Sequence, residues 1–354
     1  MAEPAPALQQ PAPVAYSPAL AKAAAPQVMS TQPTYQHQQE AKEAESPAMG
    51  RAYGDSGPVA TSAPPAAAAS GFGGSVPEEK EEDEEAPVAL PQVIGIKALD
   101  FSNMRNFLVK PLPYEAGCVQ CYIERDKKGL GKRLYPVYSL YMKEGDRFLL
   151  AGKKRAKQKT SNYLVSMSKT DMNRDGSNFL GKLRSNFVGT EFTLFDDGAA
   201  PDDAGPADRL RREMGLVMYA SNIMTSRGPR KMKVAVPKVD LATGHSKVFR
   251  PTKEDDTMSE QHRNGHTQDM VQLINKPPKW NDTVGAYVLN FNGRVTMASV
   301  KNFQLVTADD HDRVVLQFGR VGKDLFTMDM MWPLSPLQAF LACLSSFDYK
   351  LACE

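Results

Sequence analysis

The segment Leu337 to Phe347 constrains this chain more than any other. It reads LQAFLACLSSF, and no charged side chain occurs between Trp332 and Phe347. Ser335-Pro336-Leu337-Gln338 has the form of a helix start: Ser at the N-cap, Pro at the first helical position, and Gln at the third, able to reach back as in a capping box. The residues that follow are apolar on nearly every face of a helix. A surface helix shows one apolar stripe, whereas a helix apolar all round is buried. At a rise of about 1.5 Å per residue the segment is far shorter than the roughly 20 residues needed to cross a bilayer. It is therefore predicted to be a core helix, and the rest of the chain has to enclose it.

The preceding sequence supplies strands for that purpose. Phe326, Met328 and Met330 alternate with Thr327 and Asp329, the period-2 pattern of a half-buried strand. A Gly-containing turn, Gly319 to Lys323, separates this run from Val314 to Phe318. Ala286 to Phe291 and Val295 to Val306 flank Asn292-Gly293, the strongest short hairpin signal. Further strands are predicted at Tyr114–Arg125, Leu134–Lys143, Arg147–Ala151, Tyr163–Ser166, Phe179–Leu183, Glu191–Phe195, Met214–Tyr219, Lys231–Val236 and Met270–Ile274. Asp196 to Asp208 reads as an acidic loop, and polar Thr252 to Gln268 as another. Many strands punctuated by turns at this spacing suggest a sandwich or barrel. A barrel with a helix through its middle satisfies both observations.

Charge divides the chain. Residues 1–90 carry 4 Lys/Arg against 12 Asp/Glu; the remainder carries 39 against 29, within an overall net charge of +2. The basic part is expected to meet an anionic partner. Residues 1–90 hold 13 of the 26 Pro, with Ala runs, a Gln-rich patch and an acidic run at Glu78 to Glu85. Residues 1–93 are predicted to be a disordered extension, its acidic run a solvated spacer, ahead of a folded domain at 94–354. Four cysteines (Cys118, Cys121, Cys343, Cys353) give no disulfide framework and suggest a reducing compartment. No run is long enough for a membrane-spanning helix, and no secretory signal is expected at the N-terminus.

Several long motifs in one order then carry a resemblance. FLLAGKKRAKQKTSNYLVS (148–166), GKLRSNFVGTEFTLFDDG (181–198), GPRKMKVAVP (228–237), KPPKWND (276–282), NFNGRVTMASVKNFQLV (290–306), VLQFGRVGKDLFTMD (315–329) and PLQAFLACLSSFDYKLACE (336–354) resemble the tubby-like family over about residues 98–354. The resemblance implies a mainly β fold, a closed 12-stranded antiparallel barrel around a buried C-terminal α-helix. It also implies binding of phosphatidylinositol 4,5-bisphosphate by residues that match Asn162, Lys182, Arg184 and Arg211; Arg212 is the alternative to Arg211, because the loop before it varies in length. Read from the residues alone, Lys182-Leu183-Arg184 in a strand would project two cations side by side, with Leu183 turned to the core. Lys as a point charge and Arg as a planar fork suit a ligand with several phosphates. Their bland alternative is a solvated strand face.

Lys153, Lys154, Arg155, Lys157 and Lys159 form a second basic cluster. It could attract an anionic leaflet, contact nucleic acid, act as a nuclear localisation signal, or be a solvated hairpin end. No aromatic residue interleaves with it, so single-strand stacking gains little support. Cys118-x-x-Cys121 would face opposite sides of a strand, and His262/His266 lack the Glu of a zinc protease motif, so no metal site is predicted. No catalytic motif and no cofactor site is found. The expectation is a phosphoinositide-binding module, monomeric, cytoplasmic and peripheral on the inner leaflet of the plasma membrane, with nuclear shuttling and the ferrying of membrane proteins into cilia as further implications of the resemblance. The alternative is a DNA-associated transcription regulator using the same basic surface; a third reading is a scaffold whose barrel binds only protein.

Overall fold

The computed structural model describes residues 91–129, 131–201, 206–220, 231–281 and 286–348. The expected disordered extension, apart from residues 91–93, lies outside the described residues, as does Cys353. Twelve strands close into one antiparallel barrel: β1 Val119–Asp126, β2 Val137–Met142, β3 Arg147–Lys154, β4 Asn162–Ser166, β5 Phe179–Ser185, β6 Glu191–Asp196, β7 Glu213–Tyr219, β8 Met232–Pro237, β9 Met270–Asn275, then β12 Phe303–Thr307, β13 Val314–Arg320 and β14 Leu325–Met330. Two short strands between them, β10 Lys279–Asn281 and β11 Ala286–Val288, pair only with each other. β1 takes β2 on one edge and β14 on the other, with Tyr122 opposite both Tyr141 and Thr327, so the barrel itself has no open edge. Among the described residues three α-helices accompany the barrel: α1 Met104–Val109, α2 Met258–Arg263 and α3 Pro336–Ser346.

All eleven residues of α3 are buried. The capping box forms as the sequence predicts: Ser335 Oγ accepts from Gln338 N at 3.1 Å, and Gln338 Oε1 accepts from Ser335 N at 2.8 Å. Gln338 then donates from Nε2 to the Met214 carbonyl at 2.8 Å, fastening the helix start to β7. The barrel wall comes close to the helix. A Cβ on Gly152 would lie 2.8 Å from Leu344 Cδ1 and 2.9 Å from Phe340 Cε1, so β3 passes α3 there only because it carries a glycine. At the far end Phe347 packs against Tyr138, Phe318 and Phe326, with ring centroids 4.6, 5.5 and 4.8 Å apart. Asp348, fully buried, accepts from Lys154 Nζ at 2.9 Å and Tyr163 Oη at 3.0 Å. A buried carboxylate needs such partners.

Three expectations are corrected. Asn292-Gly293 does turn the chain, with both φ angles positive and Arg294 N donating to Phe291 O, but no strand ladder leaves it. β11 pairs backward with β10, and β12 starts only at Phe303. Arg294 explains the difference: its guanidinium grips Asp329 (Nε to Oδ2 2.8 Å), so the segment after the turn lies across β14 rather than pairing with β11. The same contact corrects β14, which is buried on both faces past Leu325; Thr327 Oγ1 donates to the Arg294 carbonyl at 3.0 Å. Finally, the polar 252–268 stretch holds α2, capped by Thr257 Oγ1 and seated on β7 through Met258. There the Met258 N–H donates to buried Glu213.

Candidate functional site

β5 alternates as its sequence requires. Leu183 is wholly inside the barrel, while Lys182 and Arg184 point outward. Register then assembles a face around them. Lys153 on β3 stands opposite Leu164 on β4, Leu164 opposite Lys182 on β5, and Lys182 opposite Phe195 on β6. The next row runs Asn162, Arg184, Thr193, and Arg155 joins it by donating its backbone N–H to the Asn162 carbonyl at 2.8 Å. Cross-strand partners share a face, so four strands contribute to one outer surface.

Lys182 departs from expectation. Of the two cations only Arg184 is exposed; Lys182 retains 5% of its accessible surface. Its neighbours Leu164 and Phe195 cover the stem, and its ammonium lies 5.6 Å from the centre of the Phe195 ring. Among the described residues no carboxylate comes within ion-pair distance of it. Burial, and then the charges of Arg211, Arg174 and Arg184, push its pKa down to about 8 against the opposing pull of Asp196. Asn162 is also buried, and its Oδ1 has no hydrogen-bond partner. Such an atom is costly to leave unmatched.

The structure separates the two arginines that the sequence left in competition. Arg211 lies with its guanidinium carbon 4.4 Å from the centre of the same Phe195 ring that Lys182 covers. Arg212 turns to Asp196, donating from Nε to Oδ2 at 2.7 Å and from its backbone to Oδ1 at 2.8 Å. It lines a separate cleft of about 430 Å³ with Glu213, His245, Lys247 and Phe249. Arg174, on the connection between β4 and β5, belongs to the charge group around Lys182, and sequence reasoning passed over it. It stands between Asp171 and Asp175, which mask it in any count of local charge.

The second basic cluster splits. Lys153 and Arg155 continue the two rows just described, and Lys157 and Lys159 lie exposed in the turn beyond β3, where Lys157 has φ +58°. Lys154 goes the other way, into the barrel end to meet Asp348. Strand alternation is the reason: between outward Lys153 and Arg155, residue 154 faces in. Elsewhere, Cys121 is in the core and Cys118 is exposed, yet desolvation of its thiol, and then the charge of Asp329, raise its pKa to about 11, so it is protonated at neutral pH. His262 lies on α2 and His266 just after it. Among the described residues no three His, Cys, Asp or Glu side chains gather into a metal-binding group, and no helix is long and apolar enough to cross a membrane.

Comparison with known proteins places this geometry. Residues 108–349 match the model of the Tub family. Tubby-related protein 2 of Mus musculus is 49% identical over 256 residues, covering 71% of this chain and 45% of that protein. Tubby-related protein 1 of Homo sapiens is 47% identical over 259 residues, 72% of this chain and 47% of that protein. Tubby protein homolog 1 of Caenorhabditis briggsae is 41% identical over 268 residues, 72% of this chain and 63% of that protein. The chain spans about half the length of the first two relatives.

Proposed function

The chain belongs to the Tub family, and from that premise we propose that the face built on β4 to β7 binds a polyphosphorylated headgroup, that of a bisphosphorylated phosphoinositide, and so docks the protein reversibly on the cytoplasmic leaflet. The observation that carries the proposal is Lys182: a recessed ammonium with no carboxylate partner among the described residues, crowded by three arginines. A fold gains nothing in stability from such a charge. A phosphate dianion entering among Lys182, Arg184 and Arg211 relieves their repulsion and returns the Lys182 pKa upward, so bound anion and bound proton support each other. Arg184 supplies a planar fork at the rim, and the unmatched Asn162 oxygen accepts from an inositol hydroxyl.

The role read here is binding: the group offers cations and an amide, and Lys182, with a pKa lowered to about 8, still carries its proton for the most part at neutral pH. The same reading makes the inner leaflet of the plasma membrane its site of action, and membrane-protein or ciliary cargo its partners. The DNA-binding alternative fits less well. A duplex presents its phosphates along a ridge and asks for protruding cations, whereas Lys182 is sunk between Leu164 and Phe195. Co-sedimentation of the full chain with liposomes carrying each phosphoinositide in turn, beside a duplex DNA control, tests the proposal. Selective binding to bisphosphorylated headgroups supports it. Equal binding to every anionic surface, DNA included, refutes it.

A further inference from the structure

β1, β3 and β5 run in the same direction, so the connections that follow them emerge at one end of the barrel as three neighbouring tips. Cations mark two of them, with Lys127, Lys128 and Arg133 exposed after β1, and apolar side chains mark two. The tip after β3 carries exposed Arg155, Lys157 and Lys159. The tip after β5 carries Phe187 and Val188, which retain 78% and 66% of their accessible surface; the tip after β1 carries Leu134 at 78%. A lone exposed apolar side chain needs no explanation. Two adjacent ones on a tight turn, beside cations and on the same rim as a third, do.

The Phe187–Val188 tip is also held open. Asn186 Oδ1 accepts from the backbone of Gly189 at 2.7 Å and Thr190 at 3.0 Å, and Asn186 N donates to the Glu191 carbonyl at 2.8 Å. With its backbone closed by these bonds, the turn cannot fold the two side chains back onto the barrel. It presents them in a fixed position, three residues beyond Arg184.

We infer that this tip is a membrane wedge: Phe187 and Val188 enter the interfacial zone of an anionic bilayer, with Leu134 as an outlying contact and the tip after β3 resting on the lipid phosphates. The inference rests on the headgroup reading above, since the bilayer is then the surface against which this rim is brought. Charge selects the occupant. Arg155, Lys157 and Lys159 favour an anionic leaflet, and apolar side chains next to cations are the composition that adsorbs at a lipid interface. Sinking the wedge adds apolar burial to the electrostatic attraction, so contact with a membrane is tighter than contact with the same headgroup free in water.

The test uses the full chain and two variants. Phe187→Ser with Val188→Ser should weaken binding to vesicles of phosphatidylcholine, phosphatidylserine and a bisphosphorylated phosphoinositide about tenfold. It should leave the affinity for soluble inositol trisphosphate and the melting temperature unchanged. Phe187→Trp should gain vesicle-dependent fluorescence that is quenched by lipids brominated on their acyl chains, over the signal of the parent protein. Unchanged vesicle affinity, or no added quenching when the protein is bound, overturns the wedge and leaves the headgroup site standing. Loss of inositol trisphosphate binding in the double variant overturns it too, by placing the tip within the headgroup site. Failure of the parent chain to bind phosphoinositide vesicles overturns both readings together.

Discussion

Replacing Lys182 with methionine should stabilise this protein while destroying its affinity for phosphoinositides. Methionine matches the apolar stem that lies between Leu164 and Phe195 and removes the charge. The lysine titrates at about 8 in the fold and at 10.5 when unperturbed. At about 1.4 kcal/mol per pH unit, charging it in the fold costs at most about 3 kcal/mol more than charging it in the unfolded chain, and less to the extent that water screens the ammonium. The sign follows from proton counts. Below about pH 8 both states hold the proton and the full penalty acts. Between about 8 and 10.5 the unfolded chain binds more protons than the fold, so stability rises with pH and the penalty fades. Lys182→Met should therefore raise the unfolding free energy by up to about 3 kcal/mol at pH 7 and by about half of that at about pH 9.5. Urea titrations of both proteins at the two pH values read the difference, and vesicle co-sedimentation reads the lost affinity. A variant that is less stable than the parent at pH 7, or a difference that ignores pH, would refute the picture of Lys182 as a charge kept for a ligand.

Three further outcomes are expected. Phosphoinositide binding should weaken as pH rises through about 8, because Lys182 then loses its proton; in liposome titrations at pH 7 and pH 9 the Lys182→Arg variant should lack this dependence. Asp348→Asn should cost about 3 kcal/mol in urea unfolding, since it removes the fully buried carboxylate that meets the half-buried ammonium of Lys154; no loss would mean the pair is idle. Phe340→Ala should cost about 3–5 kcal/mol, and a chain lacking residues 333–354 should be insoluble; a soluble truncation with a cooperative melt would contradict a central helix.

What could be read from the sequence was local chemistry. The start of α3 needs only the four-residue run Ser335 to Gln338, which caps itself, and its burial follows from the lack of any polar face. The Asn292-Gly293 turn is equally local, but its partner strands are not: Arg294 reaches Asp329, 35 residues on, and that contact decided the pairing. Burial of Lys182 depends on register across β4, β5 and β6, which no stretch of sequence contains. Arg211 and Arg212 are neighbours whose roles turn on whether Asp196 takes one or the other. Lys154 was legible and missed, because strict alternation along β3 already sends it away from Lys153 and Arg155.

The buried α3 sets the order in which this protein becomes competent. Every residue of the cationic face lies between Lys153 and Arg211, more than a hundred positions before Pro336. A ribosome thus releases the whole face long before it delivers the helix that fills the barrel, and until then β3 has no Phe340 or Leu344 to close upon. The strands that space Lys182 from Arg211 cannot hold their register around an empty interior. Recognition by the first half of the domain is in this sense licensed by its last turns of helix, so that an incompletely synthesised chain carries the right residues and no surface.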